Sequence, residues 1–158
     1  MKIRKAVPSD IPQIKRLYSA LFAEMSALSP EYWRAAEQNE NFIKSHMSGE
    51  AAVILAAEDE SGICGFAALQ SAKTPPYPCF ARHDFAMVTD VCVAPGRKRE
   101  GIGSALLAAA KRWARERGLE YLELNVLSSN EAAKAAYAKA GFAEEAITMR
   151  AWISGDER

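Results

Sequence analysis

The sequence predicts one α+β domain, and three patterns carry that prediction. Extended apolar runs alternate with stripes of period three to four, so strands and helices interleave along the chain. The run "AAVILAAEDESGICGFAALQSA" (51–72) is two strands about a polar turn, Asp59-Glu60-Ser61-Gly62, which makes a hairpin. The stretch "DVCVAPGRKREGIGSALLAAAKRW" (90–113) passes from a β-branched strand through a basic glycine turn into a helix. At 158 residues there is room for one core but not for two typical domains. The sheet should therefore mix hairpins with crossovers through helices.

The elements follow in order. "KIRKAV" (2–7) is a short strand with Ile3 on one face. Residues 9–25 carry Ile11, Ile14, Leu17, Leu21 and Phe22 on a helical stripe, with Ser9/Asp10 as cap and Pro12 in the first turn, where its missing N–H costs little. Residues 30–47 read as a second, more polar helix stopping near Gly49. After the hairpin, "TPPYPCFARH" (74–83) is a rigid loop and "DFAMVTDVCV" (84–93) a strand. The helix beyond the glycine turn buries Ile102, Leu106, Ala109 and Trp113 and ends at Gly118. "YLELNVL" (121–127) alternates as a strand. In "SSNEAAKAAYAKAG" (128–141), Ser128 and Glu131 fit a capping box and Gly141 a C′ residue. "FAEEAITMRAWI" (142–153) supplies one or two closing strands, so the domain runs over 1–154 with a frayed tail at 155–158.

Composition excludes several classes. Hydrophobic residues make up 49% and charged residues 25%, ordinary for a soluble globular chain. Lys plus Arg equals Asp plus Glu at 20 each, which argues against nucleic-acid binding through bulk charge. The basic stretches "GRKRE" and "KRWARERG" are no exception, because Lys111, Arg112, Arg115 and Arg117 are interspersed with Glu116 and Glu120 as on a solvated face. Cys64, Cys79 and Cys92 form no C-x-x-C pair, and with only His46 and His83 there is no zinc ligand set. Scattered thiols, a start without an apolar signal region and no run near 18 apolar residues point to a cytoplasmic, metal-free chain away from membranes.

The glycine turn fits neither familiar phosphate loop. Gly96 and Gly101 have P-loop spacing, but Ile102 stands where the lysine belongs. A dinucleotide fingerprint fails because Leu106 replaces the third glycine and residues 95–100 separate strand from turn. What remains is a run of backbone N–H groups from Lys98 to Ser104 leading into a helix N-terminus, where unpaired donors and the dipole favour an anion. Lys98 and Arg99 add charge, and Gly101 and Gly103 remove β-carbons. The rival reading is a plain tight turn.

The pattern V-x-V-x-P-x-x-[basic]-x-x-G-I-G-x-x-L-L, followed by "NEAAKAAYAKAGF", resembles the GNAT superfamily of acetyl-CoA-dependent N-acetyltransferases, and the opening "IRKAVPSDIPQI" agrees with its first strand and helix. The resemblance spans essentially the whole chain. It implies a mostly antiparallel twisted sheet of six to seven strands flanked by about four helices, with strands splayed at the cofactor site. It implies that the backbone of Val91, Cys92 and Val93 holds the pantetheine arm of acetyl-CoA. Lys98, Arg99, Glu100, Gly101, Ile102, Gly103 and Ser104 then form the pyrophosphate turn. Asn130, Ala133 and Tyr137 flank the pantetheine and sulfur, with Lys139 near the distal cofactor. Two departures stand out. Lys98 replaces the usual Arg or Gln and lacks a planar fork, and Glu100 must turn to water to avoid repelling phosphate.

Acetyl transfer to an amine needs a placed thioester, a neutral amine, support for the oxyanion and a proton for the thiolate. A main-chain N–H near Val91–Val93 would meet the oxyanion. Tyr137, on nearly the same helical face as Asn130, is the expected proton donor, its reference pKa near 10 being comparable with a thiol's. Its rival role is as a core aromatic. The base is open: where some members carry a glutamate this chain has Met87, leaving Asp90, His83 or Asp84, a water oriented by Asn125, or no dedicated base. Cys92 reads as a buried strand residue, so direct attack in a ternary complex is expected without an acyl-enzyme. The acceptor site should draw on Phe22, Glu24, Tyr32, Trp33, Tyr77, Phe80 and His83, residues that would equally serve as hydrophobic cover. A small-molecule amine, a peptide amine at an N-terminus or lysine, and a catalytically idle acyl-CoA sensor remain alternatives. A homodimer through the late strands or the polar second helix is left open.

Overall fold

A computed structural model describes residues 1–153, so the tail expected to fray at 155–158 lies outside the described residues. The chain runs β1 (Lys2–Lys5), a 3-10 turn (Pro8–Asp10), α1 (Ile11–Leu28), α2 (Glu40–Ser45), β2 (Ala52–Asp59), β3 (Gly62–Lys73), β4 (Asp84–Val93), α3 (Ile102–Arg115), β5 (Leu122–Leu124) and α4 (Glu131–Lys139). Its sheet has the order β1-β2-β3-β4-β5. The first four strands are antiparallel neighbours, and β5 joins β4 in parallel after the α3 crossover.

Helices cover both faces, which is why β2 and β3 are almost continuously buried where an open sheet would alternate. On one face α3 lays Ile102, Leu106, Ala109, Ala110 and Trp113 against Val53, Leu55, Ala67, Leu69 and Val88. On the other, α1 and α2 bring Ile14, Leu17, Tyr18 and Ile43 onto Ile54, Phe66 and Cys92. Gly65 lets α3 come this close. A β-carbon there would stand 2.8 Å from the Cys92 carbonyl oxygen and 3.0 Å from Ile102 Cγ2.

Four expectations change. The described residues hold five strands, not six or seven, because 142–153 form none. β5 is three residues long because β4 leaves it after Val88 and nothing pairs with its outer edge. The polar second helix shrinks to Glu40–Ser45, where Ile43, flanked by Phe42, His46 and Met47, supplies the inward face. Its cap is Asn39, whose side chain accepts from the Asn41 N–H at 2.8 Å. At α4, Asn130 and not Ser128 is the cap, accepting from the Ala133 N–H at 3.1 Å.

Asp10 stands at the N-cap position of α1, but its side chain makes no capping bond there and works elsewhere. Its buried carboxylate accepts from both terminal nitrogens of Arg4, at 2.6 and 3.0 Å, and from the Val7 N–H at 2.8 Å. Arg4 also donates to Glu58 on β2, at 2.9 and 3.0 Å, so one guanidinium ties β1, β2 and the entry of α1 together. These bonds from Arg4 hold the Asp10 carboxyl below its ordinary range. A depressed carboxylate stabilises the fold above its unfolded pKa of about 3.9 and loses that contribution as pH falls through the folded value. Asp10→Asn should lower stability at pH 7 by about 2 kcal/mol in urea unfolding and flatten the acid limb of the pH–stability profile.

Candidate functional site

The site begins where β4 and β5 part. The two strands pair only over Ala86–Val88 and Leu122–Leu124. Directly beyond, β4 carries an extra residue. Val88 opposes Leu69 and Asp90 opposes Ala68, leaving Thr89 as a bulge whose hydroxyl donates to the Ala68 carbonyl at 3.2 Å. The Ala94 N–H bonds Cys64 of β3 at 2.9 Å, so in the antiparallel alternation Cys92 also faces β3. The main-chain groups of Val91 and Val93 therefore point into the gap β5 has vacated.

The turn that follows is strained open. Gly96, Arg99 and Gly101 all have positive φ, at 82°, 71° and 81°. The N–H groups from Lys98 to Ser104 find no acceptor among the described residues, and those of Ile102, Gly103 and Ser104 form the free first turn of α3. A β-carbon at Gly101 would meet nothing within 4 Å, and one at Gly103 only Val93 Cγ2 at 3.8 Å. The ledge is bare backbone at a helix N-terminus, and these residues fit a diphosphate.

Its side chains are largely spoken for. Lys98 pairs with Glu24 of α1 at 2.6 Å. Glu100 does not simply turn to water but accepts from Arg97 Nε at 2.8 Å, while Arg97 also reaches Asp59 at 2.8 Å. Arg99 is exposed and forms no ion pair among the described residues.

On the α1 side of the same strand lies an acid–phenol pair. The Tyr18 hydroxyl, fully buried, donates to Asp90 Oδ2 at 3.0 Å. Burial pushes the half-buried Asp90 carboxyl above its ordinary range, against the hydrogen bond from Tyr18 that draws it down. Burial, then the Asp90 charge, drives the Tyr18 phenol well above its usual value. Tyr137 on α4 is half-buried and shifts upward from the same two causes in the same order. Cys92 is inert, its thiol pushed up to about 12, chiefly by burial, and donating to the Leu17 carbonyl at 3.3 Å.

Aromatic rings lead away from Asp90. Tyr18 touches Phe22 with centroids 5.6 Å apart, Phe22 stacks on Trp33 at 6.2 Å, and Trp33 meets Tyr32 at 5.9 Å. The buried Trp33 Nε1–H has no partner. Three of the expected acceptor residues thus share this wall, Phe22, Trp33 and Tyr32, while Glu24, two residues after Phe22 on α1, pairs with Lys98 of the turn. Tyr77 and Phe80 face each other at 6.5 Å on the exposed 74–83 loop. His83 is tied to Glu120 at 2.7 Å and Asp84 to Lys73 at 3.0 Å. Both lie at the far end of β4, roughly 20 Å along the strand from Asp90. Asn125, exposed just past β5, shares the sheet face of Asp90 but makes no hydrogen bond there. Asn130 spends its acceptor on the α4 cap, with Ala133 and Tyr137 on the following turns and Lys139 exposed at the end.

Sequence reasoning passed over Tyr18, Thr89 and Arg97. Tyr18 stands four residues after Ile14 on the apolar stripe, and a tyrosine there needs a polar partner inside the fold. That partner is 72 residues away.

The chain matches the acetyltransferase (GNAT) family over residues 14–142. YhfO of Bacillus subtilis (strain 168), an uncharacterized N-acetyltransferase, is 28% identical over 148 residues, covering 92% of this chain and 91% of the relative. The aminoglycoside N(6')-acetyltransferase type 1 of Klebsiella aerogenes is 28% identical over 141 residues, covering 85% of this chain and 91% of the relative. Among solved structures, a variant of the BH1408 protein of Bacillus halodurans shares the fold with a TM-score of 0.92 at 24% identity, over 98% of this chain and all 100% of that one. The aminoglycoside N-acetyltransferase AAC(6')-Iy in complex with CoA aligns with a TM-score of 0.72 at 16% identity, over 96% and 99% of the two chains.

Two outcomes follow from this geometry. Gly103→Val should leave Tm within about 3 °C while weakening CoA binding at least about tenfold in calorimetry, because the branched side chain covers the ledge without meeting the core. Asp90→Asn should raise Tm at pH 7. A carboxylate with a raised folded pKa contributes most below its unfolded value near 3.9 and loses that contribution as pH climbs through the folded one. The gain over wild type should therefore vanish in Tm scans at pH 3 to 4.

Proposed function

The chain belongs to the GNAT acetyltransferase family, and from that premise we propose that it transfers the acetyl group of acetyl-CoA to a primary amine of a small molecule, by direct attack in a ternary complex. The observation that carries this reading is two stretches of main-chain donors without partners among the described residues, Val91 and Val93 beside Asp90 and then Lys98–Ser104 in the turn. A diphosphate on the α3 N-terminus would anchor the cofactor, and the open edge of β4 would align its amide-bearing arm as an added strand does. An N–H in that gap supports the oxyanion of the tetrahedral intermediate.

Proton flow assigns the side chains. An acceptor ammonium gives up two protons in becoming an amide, one before attack and one after. Asp90, half-buried with its carboxyl raised above its ordinary range by burial, suits the first transfer, directly or through one water. Tyr137, raised by burial and by Asp90, stays a phenol at neutral pH and donates a hydrogen bond to the departing thiolate. Full transfer from a phenol above 10 to a thiolate near 8.5 is uphill by about 2 kcal/mol, so the thiol keeps one of the amine's protons and water takes the other. Asp90 also answers the absence of an acid at Met87, which otherwise favours an idle sensor. The wall of Phe22, Trp33 and Tyr32 beside Glu24 suits a cationic amine on a ring-shaped or apolar frame. The aminoglycoside N(6')-acetyltransferase relative supports a small-molecule acceptor over a peptide.

Thiol release from acetyl-CoA with a panel of amines, aminoglycosides among them, tests the reading. Tyr137→Phe should lower kcat about 100-fold with KM for acetyl-CoA nearly unchanged. Asp90→Asn should lower kcat/KM by a similar factor and remove the acid limb of the pH–rate profile. CoA binding without release on any amine would leave the sensor.

A further inference from the structure

Near Tyr18 and Asp90 lies a buried imidazole that the proposed chemistry leaves unused. Two of the described residues bury a charged or strongly polar side chain in the core, Asp10 and His46. Asp10 is met by Arg4 and by the Val7 N–H. His46, at the C-terminal end of α2 and only 5% exposed, is met on one side of its ring. Its Nδ1 lies 3.0 Å from the Phe42 carbonyl oxygen, with the Ser45 hydroxyl at 3.4 Å. A carbonyl can only accept, so in the uncharged ring Nδ1 carries the proton and Nε2 presents a lone pair. That Nε2 is buried and has no partner among the described residues. An acceptor shut away from water and left unpaired costs stability, so its place in the core calls for a donor.

The ring stands on the same side of the sheet as the proposed base. Asp90 opposes Ala68 and Ala68 opposes Ile54, on the face that α1 and α2 cover. His46 packs on Phe42 with ring centroids 4.4 Å apart, and Phe42 meets the Tyr18 ring edge-on at 6.2 Å. Tyr18 in turn is bonded to Asp90 through Oδ2, which leaves Oδ1 for another donor. A positive charge on His46 would draw the Asp90 carboxyl down, so the imidazole lies within electrostatic reach of it. Two acceptors, Asp90 Oδ1 and His46 Nε2, thus share this part of the core, and neither can satisfy the other. A water can satisfy both by giving one hydrogen to each.

We propose that His46 is a positioning residue for acetyl transfer: its Nε2 and the Asp90 carboxylate hold one water between them by its two hydrogens, which turns the oxygen lone pairs toward the acceptor ammonium. This rests on the reading of Asp90 as base and selects the route through water over the direct one. The step balances. An N–H bond of the ammonium breaks as the water oxygen takes that proton. The water's O–H toward Asp90 breaks as Oδ1 takes the second, leaving a water, a neutral amine and a protonated carboxyl. His46 neither gains nor loses a proton. It fixes the orientation of the water, so that a lone pair faces the amine while an O–H faces the carboxylate.

The two ring nitrogens can be tested apart. In His46→Asn the amide nitrogen falls near Nδ1 and keeps the bond to the Phe42 carbonyl, with no acceptor at the Nε2 position. In His46→Gln the longer side chain carries an amide oxygen to where Nε2 stood. The Asn variant should lose about 10-fold in kcat/KM for the amine with KM for acetyl-CoA unchanged, and the Gln variant should stay within about threefold of wild type. A purely structural histidine predicts the reverse order, and that order, or equal activity in the two, would overturn the proposal. Nitrogen-15 NMR of histidine-labelled protein, without cofactor or amine, gives a readout that needs no turnover, with His83→Gln assigning the two histidines of the chain. The His46 Nε2 signal should be that of an unprotonated, hydrogen-bonded nitrogen. Asp90→Ala should move it toward the unbonded position and Trp33→Phe should leave it in place. A protonated Nε2, a signal indifferent to Asp90→Ala, or one moved by Trp33→Phe, the indole then being the partner, would each rule out the shared water. If the wild type releases thiol with no amine, the acetyltransferase reading fails, and the NMR result still decides for or against the water.

Discussion

A parallel pair of strands ordinarily satisfies the inner main-chain groups of both partners along its length. Here the pair lasts three residues, and the bulge at Thr89 ends it. Because β3 continues to hold the other side of β4 as far as Val93, the strand stays fixed to the sheet while its second edge is bare. The gap is thus a consequence of register, which is stiff, and not of a loop, which would drift. All later features of the site take their position from this parting: the glycine turn leaves the end of β4, α3 leaves the turn, and Asp90 projects from the first residue past the bulge.

Charge around the turn argues that backbone, more than side chains, does the holding. Lys98 and Arg97 both face carboxylates, Glu24 for one and Asp59 with Glu100 for the other. These ion pairs brace the turn against α1 and the β2–β3 hairpin, leaving Arg99 and the unpaired amides to meet an anion. This reconciles a zero net charge with a diphosphate site, because a helix N-terminus offers a fixed local field that bulk charge does not describe. It also explains how lysine can stand where the family prefers a forked side chain. Its role here is a strut.

What could be read from the sequence was what is local. The hairpin, the glycine turn and the α3 stripe each depend on residues within a few positions of one another, and each stands where its pattern placed it. The Asp90–Tyr18 bond joins residues 72 apart, and Arg4 to Glu58 spans 54; no period or spacing announces such pairs. The bulge at Thr89 was equally hidden, since "MVTDVC" reads as an unbroken strand until its partner's register is known. The closing strands failed for a different reason. The alternation in 143–153 is real, but a strand is a relation between two chains of backbone, and the described molecule offers this one no partner.

The helix α1 binds these parts into one machine. It sends Tyr18 to Asp90, offers the Leu17 carbonyl to the Cys92 thiol, and through Glu24 holds Lys98 of the turn. Leu17 to Glu24 spans about two turns, or roughly 10 Å, so Asp90 and the glycine turn are braced at two points along one rigid rod. The same helix carries Phe22, from which the aromatic wall starts. Burying a carboxylate beside a phenol costs stability that a leucine pair would not, and Tyr18 keeps Asp90 hydrogen-bonded at the depth where its basicity rises. A fold selected for packing alone would have no reason to set an acid there. The general-base role proposed for Asp90 supplies that reason.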